Sequence, residues 1–441
     1  MTASFLQVLL SLLAGILVIV WLAAKIKVHP FFALFIACFV VGLGVEMPAA
    51  TIINTMKDGF GNIIRSLGFI IVLGTALGVI LEGNGSTTVM ANRILKWIGK
   101  KYPALAMSIT GFIVGLPIFC DSGFIVLSGL NSTLAKRTGV PVIIMAASMA
   151  TGLYSVHCLI PPHPGAAAAA GIIGVPYGKL ILTGIIVAIP AMIVGYLYAG
   201  YAGKKITHTH HSSPEETKET EMRLPSATAA FLPVIVPIIL ISVRSFLPAA
   251  VSGVMNVFVF FGDPVIALLT GVILALSAHG RWEMKKLNHW LQLSVEKAGG
   301  ILVIIGAGGA FGAILAATKI GDHFSAVLPL AGMGILFPFF VTSLLKTAQG
   351  SSTVAIITAA SIVQPLLVSL GFITPDDKLL CVLAMGAGSM MISHANDAYF
   401  WVIAKFEKIE MAPMFRVYSI ATVIMGLTSL LMIYLLSLLI K

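Results

Sequence analysis

Residues 148–171 read Ser-Met-Ala-Thr-Gly-Leu-Tyr-Ser-Val-His-Cys-Leu-Ile-Pro-Pro-His-Pro-Gly, followed by alanines and a glycine. The stretch sits inside an apolar segment long enough to cross a bilayer, yet it carries His157, His163 and the prolines Pro161, Pro162 and Pro164. Proline lacks a backbone donor, and its ring clashes with the preceding helical turn. A helix entering here is predicted to stop near Ser155 and to restart after Pro164. Lipid cannot satisfy the freed backbone groups, so such a break must face protein or a water-filled cavity. The small residues behind it admit another helix at close range. This stretch is therefore expected to form one wall of a polar site near the bilayer midplane.

Composition sets the class. The 441 residues are 58% hydrophobic and 10% charged, with mean hydropathy +1.03, whereas soluble chains are about 25% charged. Apolar runs of about 20 residues recur from end to end, which defines an all-α polytopic membrane protein. The net charge of +10 does not point to nucleic acid, because the basic residues fall in short loops, as the positive-inside bias requires. Cys38, Cys120, Cys158 and Cys381 lie in apolar surroundings without paired spacing, so neither a disulfide framework nor a zinc site is expected. The first apolar run is followed, not preceded, by Lys25 and Lys27. It reads as a retained span ending in the cytoplasm rather than a cleaved signal.

In chain order, spans are expected over residues 5–24 and 31–45. Lys57 to Arg65 form an amphipathic entry to a third span ending near Glu82. Residues 104–136 are apolar at both ends but polar at Asp121-Ser122-Gly123, and basic residues flank both sides. Each arm falls short of the roughly 20 residues a span needs, so a re-entrant hairpin with its tip at Asp121 is predicted. The broken stretch and one more span complete the first half. Residues 203–227 change character, with Lys204, Lys205, His208, His210, His211 and a run from Glu215 to Glu221. They read as a solvated cytoplasmic linker, the histidines being polar filler rather than a metal tract.

The order then recurs. Gly308-Gly-Ala-Phe-Gly312-Ala-Ile-Leu315 echoes Gly74-Thr-Ala-Leu-Gly78-Val-Ile-Leu81. A second hairpin is expected over residues 324–370, centred on Lys346-Thr-Ala-Gln-Gly-Ser-Ser-Thr353, and a second broken helix over residues 379–404, interrupted at Ser393-His-Ala-Asn-Asp397. The predicted domains are residues 1–202, the linker 203–227, and residues 228–441. With about five crossings each, the second repeat enters in the opposite orientation. Paired broken segments in inverted repeats point to a secondary transporter with its site at the repeat interface.

The chemistry gathers at the four interruptions. Helix N-termini offer unpaired N–H groups to a carboxylate, and freed carbonyls suit cations or hydroxyls. Gly123 and Gly350 allow close backbone approach. Ionisable side chains at membrane depth mark substrate or ion paths; here they are Asp121, His157, His163, Lys346, His394 and Asp397. Lys346 is expected to pair with the substrate carboxylate or with Asp397. His157 and His394 fall at equivalent breaks, and His163 among its prolines braces a turn. Histidine titrates near neutral pH and burial disfavours an ionised carboxylate, so Asp121, His157 and Asp397 are candidate proton carriers, Asp121 first. Ser122, Ser351, Ser352, Thr353 and Asn396 can bond substrate hydroxyls.

The blocks Ile118-Phe-Cys-Asp-Ser-Gly-Phe124, Pro161-Pro-His-Pro-Gly165, Phe261-Gly-Asp-Pro264, Gly350-Ser-Ser-Thr-Val-Ala355 and Ser393-His-Ala-Asn-Asp397 resemble those of the gluconate permease family of proton symporters over nearly the whole chain. The resemblance implies an inner-membrane carrier that imports gluconate or a related sugar acid with a proton. It also implies the ion-transporter superfamily architecture of inverted repeats with re-entrant hairpins. Many gluconate carriers have Glu-Val-Gly-Phe in place of Asp121-Ser-Gly-Phe124, Arg in place of Lys346, and Asp-Pro-Gly-Phe-Trp in place of Asp397-Ala-Tyr-Phe-Trp401. These departures fall on the expected site and leave glycerate, threonate, another short hydroxy acid and D-serine open.

The expected partners are thus a small hydroxy-carboxylate, a proton, the bilayer and, as an option, a second copy of the chain, with no nucleic acid, cofactor or metal. Sodium coupling is the nearest rival, since carbonyls and hydroxyls at the breaks could hold Na⁺. A passive channel is another. An intramembrane enzyme lacks a motif: the chain has no His-Glu-x-x-His and no Gly-x-Ser-x-Gly.

Overall fold

The computed structural model describes residues 4–98, 101–206, 224–245, 247, 255–278, 284–319, 332–395 and 397–440, and these are helical throughout with connecting turns. The first half contains α1 (Phe5–Val20), α2 (Pro30–Gly44), α3 (Ala49–Gly83), α4 (Ser86–Ile98), α5 (Pro103–Gly115), α6 (Cys120–Thr138), α7 (Val142–Leu159), α8 (Pro164–Ile173) and α9 (Tyr177–Gly203). The second contains α10 (Ala227–Ser245), α11 (Met255–Phe261), α12 (Pro264–Ser277), α13 (Met284–Ala317), α14 (Leu336–Gln349), α15 (Ser352–Val363), α16 (Pro375–Met390), α17 (Ala398–Phe406) and α18 (Ile420–Ile440). Among the described residues, six helical segments are long and apolar enough to cross a membrane. The histidines of the expected linker and Asn396 lie outside the described residues.

The same order of elements occurs twice: a long helix (α3, α13), two short helices meeting at a tip (α5/α6, α14/α15), a broken helix (α7/α8, α16/α17) and a closing helix (α9, α18). Local sequence explains each interruption. Helix α7 runs to Leu159, one turn beyond the predicted stop at Ser155, and Ile160 is extended at φ −121°, ψ 122°. A proline excludes helix from the residue just before it rather than from the whole preceding turn, so Pro161 dictates Ile160. Helix α8 restarts with Pro164 in its first turn, where a missing N–H costs nothing. Helix α14 ends at Gly350 with φ +82°, a left-handed conformation that glycine adopts without strain. Thr374 and Asp377 form a reciprocal capping box that starts α16.

Helices α7 and α16 form the centre. Every residue of α7 from Ile143 to Leu159 is buried, as expected of a helix apolar on all faces. Glycines set the packing distance. A Cβ on Gly152 would press into the Ser108 carbonyl oxygen of α5, and one on Gly386 would lie 2.7 Å from the Cys158 carbonyl oxygen. The paired glycine motifs do matching work. Gly74 and Gly78 let α3 approach Pro162 and Pro117, while Gly308 and Gly312 let α13 approach Ile357 and Ser361 of α15. Long helices α3 and α13 cross antiparallel, with Gly59 against Gly309 and Gly83 against Trp290. Outer faces carry exposed apolar stripes, such as Leu6, Leu10, Leu13 and Leu17 on α1 and Ile186, Ile189, Ile193 and Leu197 on α9, the pattern of a lipid-facing surface.

A buried tie joins the two halves away from the centre. Glu407, at the end of α17, accepts hydrogen bonds from Asn131 Nδ2 at 2.7 Å and Ser132 Oγ at 2.8 Å, both on α6.

Substituting Gly152→Val should destabilise the fold by about 1–3 kcal/mol through overpacking, whereas Gly61→Ala, with open space around it, should be neutral or stabilising by up to about 1 kcal/mol. Thermal unfolding of the two purified variants in detergent checks the contrast.

Candidate functional site

All four interruptions converge. The tip between α5 and α6, the last turn of α7, the tip between α14 and α15 and the start of α17 line one cavity of about 520 Å³, together with one face of α13. The space falls within the range of small-ligand pockets, about 300–1,000 Å³. Asp121, Ser122, His157, Gly350, Ser351, Ser352, Thr353 and Asp397, all expected from the sequence, line it.

The strongest interaction in the site is an ion pair. Lys346 is fully buried, and its Nζ lies 2.7 Å from Asp397 Oδ2 while also donating to the Gly350 carbonyl. Of the two partners expected for Lys346, the structure therefore supplies Asp397. Lys346 sits in the last turn of α14, where its charge complements the negative end of the helix dipole. Asp397 is the N-cap of α17: its Oδ1 accepts from Tyr399 N at 3.0 Å, and its Oδ2 also accepts from Ser393 Oγ. One ion pair thus fastens the end of one short helix to the start of another.

Asp121 stands in the first turn of α6 and accepts a weak bond from Cys120 Sγ at 3.8 Å. No ammonium lies within ion-pair distance of it among the described residues. His157 reaches across the halves, with Nε2 3.5 Å from Thr353 Oγ1 and Nδ1 buried without a hydrogen-bond partner. His163 stands 4.9 Å from His157, ring to ring, and its Nε2–H donates to the Gly115 carbonyl at 2.7 Å. It ties the break to the first tip, the bracing role expected of it.

Two expected residues stand elsewhere. Gly123 faces Leu153 of α7, whose Cδ2 would lie 2.8 Å from an added Cβ. It makes room for a helix, not a ligand. His394 and His157 are not equivalent: His394 lies within the second break, 3.3 Å from the Thr347 carbonyl, and lines an adjoining cavity with Lys27, Pro30 and Trp401. Asn396 falls outside the described residues. The structure adds Tyr154, Tyr399, Gln349 and Lys297 to the site. Tyr154 and Tyr399 stack at 5.7 Å, and their hydroxyls bond across the halves, to Ser389 O at 3.1 Å and Ala150 O at 3.3 Å. Tyr154 precedes His157 by three residues, so helical spacing alone could have found it. Both amide atoms of Gln349 are buried without partners at the junction of the two cavities. Among the described residues, no three His, Cys, Asp or Glu side chains cluster as metal ligands.

Membrane-length helices around a central polar cavity, with interrupted helices at its walls, define a multi-pass membrane transporter. The chain belongs to the GntP permease family, whose model matches residues 7–439. It is similar to the gluconate permease of Pseudomonas aeruginosa, at 35% identity over 98% of this chain and 97% of the relative. It is also similar to the D-serine transporter of Escherichia coli K12, at 30% identity over 97% of each. Among solved structures, the Neisseria gonorrhoeae MtrF antimetabolite efflux pump aligns with TM-score 0.65 at 16% identity, covering 94% of this chain and 96% of that one. The last likeness concerns the fold alone. The chain is thus a transporter and not an enzyme.

Removing one member of the buried pair strands the other charge, which costs about 3–5 kcal/mol. Lys346→Met should lower stability by that order, and adding Asp397→Asn to it should recover part of the loss. A double-mutant cycle read by thermal unfolding measures the coupling.

Proposed function

We propose that this transporter imports gluconate or a related small hydroxy-monocarboxylate together with a proton across the inner membrane. Residues 1–202 and 228–441 act as inverted repeats joined by a cytoplasmic linker, residues 203–227. The antiparallel crossing of the equivalent helices α3 and α13 supports the inversion. The adjoining cavity shares Gln349, Ser351, Val354 and Ala398 with the site and runs to Lys27 and Pro30. That loop belongs to the cytoplasm by its lysines, so the conformation is open inward.

The observation that carries proton coupling is the seat of the Lys346 ammonium. It occupies the oxygens that a coupling sodium ion would need at this break, the Gly350 carbonyl and the Asp397 carboxylate. A second monovalent cation about 4 Å away would meet a repulsion of about 4 kcal/mol at an effective dielectric constant near 20. Asp397 is thereby neutralised, and Asp121 remains as the carboxylate on the cavity wall without a cation beside it. While Asp121 is ionised, it repels an anionic substrate. Once it is protonated, the repulsion is gone, and the anion settles among Ser351, Ser352, Thr353, His157 and Gln349, where the unpartnered His157 Nδ1 and Gln349 amide suit hydroxyls. Proton and substrate then travel as one neutral load. Relocation of a loaded site between two openings fits alternating access better than an open pore.

Proteoliposomes with an acidic exterior and no sodium should accumulate the substrate from a panel of gluconate, threonate, glycerate and D-serine. Asp121→Asn should abolish accumulation while sparing substrate exchange. Accumulation by the variant at wild-type level with an unchanged pH profile removes Asp121 from the coupling role, and an absolute need for sodium replaces the proton.

A further inference from the structure

Lys346 has no exposed surface and lines neither cavity, so an anionic substrate must find its countercharge elsewhere. Lys297 supplies it. It projects from α13 beside Ile301 and Ile304, and all three line the site cavity; the spacing of four and three residues puts them on one helical face. Its partner is Glu82 at the end of α3, with Nζ 4.0 Å from Oε2 and the two side chains 33% and 29% exposed. That separation lies beyond hydrogen-bonding range, and a pair this open holds little of the ammonium's interaction energy. The other charged groups around the cavity are accounted for. Asp397 is bound to Lys346, Asp121 carries negative charge, and Glu296, next to Lys297, accepts from Gln292.

We propose that Lys297 is the residue that receives the substrate carboxylate, exchanging its loose contact with Glu82 for a direct charge-assisted bond. This rests on the hydroxy-acid reading above. The geometry also gives an order to the cycle. Lys297 contributes one positive charge to the cavity and ionised Asp121 one negative charge, so the cavity attracts a carboxylate only after Asp121 takes its proton. Lys297 lies on the long helix α13, not on a tip or a break, so the substrate is held between a helix of one kind and the interrupted elements facing it. Glu82 belongs to α3, the counterpart of α13 in the other half, and the exchange therefore ties substrate binding to the contact between the two long helices.

The test compares binding of a carboxylate and its uncharged amide, gluconate and gluconamide, to purified protein at acidic pH, with thermal unfolding recorded alongside. Wild type should favour gluconate. Lys297→Gln should weaken gluconate about 10- to 100-fold, the range for a bond to a charged group, and leave gluconamide within about 3-fold, so that the preference disappears. Lys297→Arg should restore it. Glu82→Gln should bind gluconate as tightly as wild type or up to a few-fold tighter. Lys297→Gln retaining the preference overturns the inference, as does equal weakening of both ligands together with equal loss of thermal stability in Lys297→Gln and Glu82→Gln, which marks a structural staple. A wild type that binds neither gluconate nor any other hydroxy acid of the panel removes the functional reading itself, and this inference with it.

Discussion

A fully buried ammonium and a nearly buried carboxylate hold the centre of this protein together. Neither Lys346 nor Asp397 could be buried alone, because the desolvation of each is worth several kcal/mol. Together, with the Gly350 carbonyl, the Ser393 hydroxyl and the Tyr399 backbone N–H completing their shells, they turn two helix ends that lipid would reject into one satisfied junction. The tip of α14/α15 and the break between α16 and α17 consequently have to lie side by side. The first half uses weaker means for the matching junction: the His163 ring bonds the Gly115 carbonyl, and Gly74 and Gly78 admit Pro162 and Pro117. One half is fastened by charge and the other by close backbone packing.

The asymmetry gives the cavity its chemistry. Where the second half has an acid neutralised by a lysine, the first half has Asp121 with a cysteine beside it. Asp397 and Asp121 thus come from different halves and line one chamber, across which His157 and Thr353 meet. Tyr154 and Tyr399 stack across the same divide.

Much of the architecture was legible in the sequence, because interruptions within apolar runs obey strong local rules. Three prolines, a polar Asp-Ser-Gly tip, a glycine-centred second tip and an Asp after a His-Ala-Asn sequence announced the four places where helices end. The resemblance to gluconate permeases agrees with the family the chain belongs to. The rest was hidden for identifiable reasons. Pro161 acts on its immediate predecessor, so α7 keeps His157 helical instead of leaving it in a turn. Gly123 serves Leu153 and not a ligand, a distinction that sequence spacing cannot carry. Lys297 lies far in sequence from the tips and breaks, and only the folding of α13 against the tips brings it to the cavity. Gln349 stood in full view beside Lys346, but its value lies in lacking a partner, which only packing reveals.

The central claim is that the interrupted segments enclose one aqueous chamber reached from the cytoplasm in this conformation. It is tested most directly by labelling Ser351→Cys, in a background with the four native cysteines replaced, with a membrane-impermeant thiol reagent applied to one face of oriented vesicles at a time. The account predicts rapid reaction from the cytoplasmic face and protection by substrate. Reaction only from the opposite face, or none from either face in a variant that still transports, contradicts it.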